Sequence, residues 1–311
     1  MADGSRKVVY AALIGNLLVA AAKYTAAALS GSSAMLTEAI HSTSDCTNQL
    51  LLLIGVRRQK RPPDDSHPFG YGMEIYFWTF VVAVLVLLAG GVYSLYQGYT
   101  QLSDAHQIRT PVLNLAVLCL AALFEGGSFA VGYRQYRKVA SRHVIPGQAV
   151  GLLQFIKWSK DPSLYESLLE DGAALVGIGI AAAGTVASAY LDWPRADGVA
   201  SIAIGLLLLL NGTAILIATR SLIAGEAVAP PLLRDLWKAA DTGGWSERIV
   251  RLQTLHLGPD CILIAVNLRA GSEYREEREL QSQIDWRLRA IDDRIVEILF
   301  RYDDGAPPDG D

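Results

Sequence analysis

The stretch GAALVGIGIAAAGTVASAYL, residues 172–191, carries no charged side chain over its whole length. About 20 apolar residues are what a helix needs to cross the ~30 Å hydrocarbon core of a bilayer. Working outward, 199–219 (VASIAIGLLLLLNGTAILIAT) and 75–96 (IYFWTFVVAVLVLLAGGVYSLY) are equally free of charge. The spacing predicts six membrane spans, over about 8–29, 34–56, 74–101, 110–133, 164–190 and 196–222. Only Ser30-Gly31-Ser32-Ser33 separates the first two, a tight turn.

The composition agrees. Of 311 residues, 51% are hydrophobic and 19% charged, against about a quarter charged in soluble domains. Disorder, a collagen repeat and a disulfide scaffold are excluded. A net charge of −4 gives no support for a nucleic-acid partner. Cys46, Cys119 and Cys261 stand far apart with no CxxC, so neither disulfides nor a cysteine zinc site is expected. The opening MADGSRKVVY lacks a clear cleavage site, which favours a retained first helix over a signal peptide.

Basic residues set the expected topology. Arg57, Arg58, Lys60 and Arg61 fill the loop between spans two and three. Arg134, Arg137, Lys138, Arg142, Lys157 and Lys160 fill that between four and five. The opposite side offers Arg109 and Arg195. Positive charge marks the cytoplasmic face, and both termini are expected there. Residues 1–226 read as a transmembrane domain and 227–311 as a cytosolic domain. In the second, LLRDLWKAAD suggests a helix and Arg248–Leu257 and Ile262–Leu268 suggest strands, with Ile262, Ile264, Val266 and Leu268 alternating. A helical stripe of Leu280, Ile284, Leu288 and Ile291 and a strand Arg294–Phe300 follow. The fold class expected is a six-helix all-α membrane domain followed by a cytosolic α+β domain, ordered α-β-β-α-β and ferredoxin- or metallochaperone-like. The end, DDGAPPDGD, is expected to fray.

Ionisable groups inside a span are costly, so each is a functional hypothesis. Span two holds Glu38, His41 and Asp45, and Asn48 extends their stripe. His41 and Asp45, one turn apart, can both reach one divalent cation; the alternative is a pair that merely satisfies itself between helices. Span five opens with Glu166, Ser167, Glu170 and Asp171. The plain reading of Glu170 and Asp171 is acid favoured by a helix N-terminus, until a second acidic position faces a His–Asp pair. Lys23 either snorkels to the interface or neutralises Glu38 or Glu125. Glu125, deep in span four, needs a partner and is a candidate gate. Asp64, Asp65, His67 and Glu74 are expected to form a solvated turn rather than a peripheral metal site.

At this point the sequence resembles the cation diffusion facilitators. The stretch from Gly31 to Phe80 contains the HxxxD motif as His41–Asp45 and the HPxGxG motif as His67-Pro68-Phe69-Gly70-Tyr71-Gly72. More narrowly it is similar to the branch with the mitochondrial zinc transporters, through Ala39–Gln49, Asp161–Asp171 and Glu125-Gly126-Gly127. The resemblance implies a homodimer in the lipid bilayer that exchanges a divalent metal, zinc first and manganese or iron(II) as alternatives, for protons. No cofactor would be permanently bound, and the protein would not be an enzyme. If the source is bacterial, the membrane would be the cell (inner) membrane; the mitochondrial-type resemblance leaves an organelle possible. It also implies a transport site of His41 and Asp45 with Asp171. Where the family has a ligand four residues before the last acid, this chain has Ser167. Ser167, Glu170 or water would complete the shell, Glu170 being favoured on charge. Residues 143–160 hold only His143 and the tail only His256, so a His-rich loop and regulatory tail sites are not expected.

Among rival readings, a metal channel would use similar ligands without obligatory proton coupling. A metal-dependent hydrolase lacks HExxH, an ATP-driven pump lacks the phosphate loop, and a soluble binding module is incompatible with the spans.

Overall fold

The structure, a computed structural model, describes residues 3–105, 107–142, 151–241, 246–270 and 274–303. Residues 143–150 with His143, and the terminal residues 304–311, lie outside this range. The chain divides into two compact units. One comprises Met1–Val56, Phe77–Lys138 and Pro162–Thr219, the other Arg57–Tyr76, Val139–Asp161 and Arg220–Asp311.

The first unit is helical. Helices α1 (Asp3–Ser30) and α2 (Ser33–Arg58) are joined at Gly31, whose φ of 75° turns the chain at no steric cost. Helix α3 (Glu74–Leu85) runs through a π-helical segment, Val86–Val92, into α4 (Tyr93–Ser103). That segment contains Gly90-Gly91, where two weak helix formers in a row let the ladder widen. Helices α5 (Pro111–Arg142), α7 (Pro162–Tyr190) and α8 (Ala196–Ala224) complete the set, with a short α6 (Leu152–Trp158) before α7.

Among the described residues, five helices are long and apolar enough to cross a membrane: Leu13–Ser30, Glu74–Ser103, Pro111–Lys138, Tyr165–Tyr190 and Ala196–Ala224. Helix α2 has the length, 26 residues, but Glu38, His41, Asp45 and Asn48 dilute its apolar character. Two local expectations need correction. The basic segment after Tyr133 is not a loop but the continuation of α5 to Arg142, because RQYRK consists mainly of residues that sustain a helix in water. Helix α6 was not anticipated; a single turn or two leaves too short a periodic signal.

Small residues bring these helices together, as expected where lipid provides no hydrophobic drive. Val19, Ala26 and Ala27 of α1, Ala34 and Met35 of α2, Leu118 and Ala121 of α5, Ile178 and Ala181 of α7, and Ala200, Ile204 and Leu208 of α8 form one core. Helices α4 and α8 approach so closely that a Cβ on Gly98 would stand 2.7 Å from the Gly198 carbonyl oxygen. The outer faces of α1, α5 and α8 carry Leu17, Leu18, Val112, Leu123 and Leu210, all well exposed, as side chains in contact with lipid would be.

In the second unit, α9 (Pro230–Asp241), β1 (Ile249–Gly258), β2 (Cys261–Arg269), α10 (Tyr274–Ile291) and β3 (Ile295–Asp303) follow in the expected α-β-β-α-β order. The sheet order is β1-β2-β3, antiparallel between β1 and β2 and parallel between β2 and β3. The parallel pair needs a crossover, which α10 provides. Ile262, Ile264, Val266 and Leu268 are buried and join Leu236 and Ala240 of α9 and Leu280, Ile284 and Leu288 of α10 in one core. Ile291 departs from the expected stripe: it ends α10 and is 43% exposed, because the chain there leaves the helix for the turn into β3.

Candidate functional site

Residues 38, 41, 45 and 48 of α2 recur at intervals of three and four, so they line one face. Glu38, His41 and Asn48 are buried, and Asp45 is nearly so, its side chain 14% exposed. The first of these is neutralised: Lys23 of α1 donates to Glu38 Oε2 at 2.9 Å and to Ser42 Oγ at 2.8 Å. Lys23 therefore does not snorkel. Its charge is spent on Glu38, the first of the two acids considered for it. Glu38 Oε1 has no hydrogen-bond partner among the described residues. It lies so near α7 that a Cβ on Gly177 would sit 2.6 Å from it, so a larger residue there would have to displace the Glu38 carboxylate.

One turn further along α2, His41 Nδ1 stands 3.5 Å from Asp45 Oδ1. Neither imidazole nitrogen makes a hydrogen bond within the described residues, and neither does Asp45 Oδ1. A buried polar atom left unpaired is costly, and its presence demands a reason. An imidazole and a carboxylate one turn apart, with atoms left unpaired, could supply two of the about four donors that a cation such as zinc takes.

Helix α7 brings the opposing acids. Glu170 Oε1 accepts a hydrogen bond of 2.7 Å from Asn48 Nδ2, and Asp171 Oδ2 accepts one of 2.7 Å from Ser128 Oγ of α5. Glu125 precedes Ser128 by three residues, which places both on one face of α5, and it too is buried. Ser167, one turn before Asp171, is half-buried. Among the described residues, no three His, Cys, Asp or Glu side chains are gathered tightly enough to hold an ion in this conformation. His41 and Asp45 come together, and Glu170 and Asp171 each reach a polar partner on a neighbouring helix. Sequence reading missed one member of this constellation: Ser128, which could have been found from its i, i+3 relation to Glu125. Glu166, named there only as part of the opening of span five, is wholly buried one turn before Glu170.

A second polar cluster lies at the start of α2. The Asp197 carboxylate of α8 accepts from Ser32 Oγ at 2.5 Å, Ser33 N at 2.5 Å and Ser33 Oγ at 2.9 Å. It caps α2 from another helix. Thr37 Oγ1 and Ser201 Oγ, 2.8 Å apart, extend the contact.

Within the other unit, the 57–76 segment behaves as a structured, solvated turn. Asp64 Oδ1 accepts from the backbone N–H groups of Ser66 and His67, and Asp64 Oδ2 from Tyr71 Oη at 2.7 Å. The Tyr71 hydroxyl and these amides hold the Asp64 carboxyl below its ordinary range. His67 is about half exposed. The same segment reaches the tail: a Cβ on Gly72 would fall 2.3 Å from the Leu257 carbonyl oxygen. Tyr76 Oη donates to the Lys160 carbonyl at 3.1 Å, the Lys160 ammonium pairs with the Glu226 carboxylate, and His256 N donates to the Glu226 carbonyl at 3.0 Å. Burial works to raise Glu226, but hydrogen bonds from Lys160 and Ser221 hold it below the carboxylate range. His256 is buried, with Nδ1 3.1 Å from the Gly258 carbonyl oxygen. Burial pushes it down to about 4.

Comparison with known proteins gives the family of the chain. Residues 9–224 match the family model of the cation efflux transmembrane domain. Over 233 residues the chain is 29% identical to the proton-coupled zinc antiporter SLC30A9, mitochondrial, of Homo sapiens, an alignment covering 75% of this chain and 40% of that protein. It is 30% identical over 230 residues to metal tolerance protein C4 of Arabidopsis thaliana, covering 72% and 48%. With magnetosome protein MamM of Paramagnetospirillum magneticum the identity is 26% over 260 residues, covering 82% and 74%. The chain thus spans less than half the length of the first two relatives. The matched transmembrane domain and the five apolar helices make it an integral, multi-pass membrane protein.

Proposed function

Since the chain belongs to the cation diffusion facilitator family, near the branch of the mitochondrial zinc antiporters, a family of transporters and not of enzymes, we propose that it carries a divalent cation across the membrane in exchange for protons. Zinc is the favoured cargo, with manganese and iron(II) as alternatives. Helix α2 serves as the sixth span, since its 26 residues suffice to cross and its polar stripe faces protein rather than lipid. Residues 1–226 act as the transport domain and 227–311 as a cytosolic, ferredoxin-like dimerisation domain, with both termini on the cytoplasmic side.

The observation that carries this reading is the pair of His41 and Asp45, whose unpartnered ring nitrogens and carboxylate oxygen are buried on one face of α2. Asp171 supplies the acid from α7, and Ser167, Glu170 or water completes the shell. Metal binding requires a free imidazole lone pair and deprotonated carboxylates. Cation and proton therefore compete for the same atoms, which is the physical basis for exchange. One imidazole among oxygen donors suits zinc and leaves manganese and iron(II) open. Alternating access would rock α2 and α7 about the site.

Proteoliposome uptake tests the reading. His41→Ala and Asp45→Ala should each abolish proton-coupled zinc flux; retention of wild-type flux by either would overturn it. Competition of zinc uptake by manganese and iron(II) orders the cargoes.

A further inference from the structure

Glu38 has the makings of a metal ligand that the transport site leaves unused. It stands three residues before His41 on the same face of α2, wholly buried, and its Oε1 has no hydrogen-bond partner among the described residues. Its Oε2 is held by the Lys23 ammonium at 2.9 Å, and the same ammonium donates to Ser42 Oγ at 2.8 Å. Lys23 thus bridges one turn of α2, from Glu38 to Ser42, alongside His41. Of the charged side chains, Glu38 and then Lys23 act most strongly on the His41 ring. Among the described residues, Lys23 is also the only buried lysine or arginine of the helical unit. A fixed charge is costly to hold there. Joining α1 to α2 does not require it, because Val19 and Ala26 already share an apolar core with Ala34 and Met35.

We propose that Lys23 is a positioning residue that sets metal specificity: its ammonium withholds the Glu38 carboxylate from the cation bound at His41 and Asp45. The inference rests on the transport reading above and deepens it. A carboxylate paired with an ammonium is a poor ligand, since a metal that takes it leaves the ammonium buried without a partner. Freed, the same carboxylate is one more oxygen donor beside the site. Oxygen-rich, octahedral shells suit manganese, whereas zinc takes about four donors and accepts imidazole among them. With Glu38 withheld the shell stays small, and zinc keeps its advantage. Lys23 touches no cation; it acts through Glu38.

The test titrates the full-length protein in detergent with zinc chloride and with manganese chloride, by calorimetry, and compares the two affinities. Lys23→Met should lower the zinc-over-manganese ratio about tenfold, about 1.4 kcal/mol, chiefly by tightening manganese. Lys23→Met combined with Glu38→Gln, which removes the freed carboxylate as well, should return the ratio to that of the wild type. A loss of stability alone would not move one metal against the other. Should Lys23→Met fail to fold, Lys23→Gln, which keeps a donor for Glu38 but no charge, should shift the ratio in the same direction. A wild-type ratio in the single variant, or a ratio still shifted in the double variant, overturns the proposal. Either result would leave the transport reading untouched, because its own failure shows separately, as undiminished proton-coupled flux through Asp45→Ala.

Discussion

Lys23 Nζ lies 2.9 Å from Glu38 Oε2, with both side chains wholly buried. The pair ties α1 to the face of α2 that bears His41, three residues on. Removing one partner of a buried ion pair leaves an uncompensated charge and costs about 3–5 kcal/mol. Lys23→Met should therefore lower the thermal midpoint in detergent sharply, and adding Glu38→Gln to it should restore much of the loss. A double variant no more stable than Lys23→Met alone would show that the pair is not the source.

The Asp197 carboxylate gathers two serine hydroxyls and a backbone amide at the start of α2. Asp197→Ala should cost about 1–3 kcal/mol, as loss of a helix cap combined with orphaned buried donors. Asp197→Asn, which keeps one acceptor oxygen, should cost less. Unfolding followed by circular dichroism would rank the two; equal losses would mean that the negative charge rather than the hydrogen bonds matters.

Gly72 meets the backbone of Leu257 and Gly258, and a Cβ there has nowhere to go. Gly72→Ala should force the 57–76 segment away from the end of the β1–β2 hairpin and speed hydrogen exchange at residues 255–260. Gly126→Ala is the control, since among the described residues no atom beyond its own stretch of helix lies within 4 Å of a Cβ at that position. Unchanged exchange in Gly72→Ala would mean the contact is readily rearranged.

His256 gives the tail a pH dependence. Its folded value is lowered to about 4 by burial first, then by the charges of Arg294 and Lys160, while the Gly258 carbonyl and Asp292 act in the opposite sense. The unfolded imidazole takes a proton near pH 6.5, before the folded one does. The contribution is therefore complete above about pH 6.5 and is lost as pH falls towards about 4, amounting to ~3 kcal/mol at the acid end. Glu226, which faces Lys160 and is held below its ordinary range, adds a loss of the same sign at more acid pH. A pH series of unfolding midpoints should show this slope, and His256→Asn should flatten it between pH 6.5 and 4. An unaltered slope would assign the dependence elsewhere.

The sequence made much of this legible, for physical reasons. Charge-free runs of bilayer length mark spans without reference to partners, and the alternation of Ile262 to Leu268 marks a strand with one buried face. His41 and Asp45 stood out because ionisable groups are rare in such runs. What stayed hidden was pairing across elements. Asp197 reads as an ordinary first-turn acid of α8, and nothing local says that it caps α2. Lys23 had two readings until the structure brought it to Glu38. The basic end of α5 read as a loop because charge was taken to end the helix, when charge only ends the span.

The anchoring of α2 at Asp197 also sets a lever ratio. Counted from Ser33, His41 lies ~12 Å along the axis and Arg58 ~37 Å, at ~1.5 Å per residue. If the helix swings about its clamped tip, the imidazole travels about a third as far as the arginine end. Large excursions at the basic loops would then reach the ring as small ones, scaled to the difference between gripping an ion and letting it go.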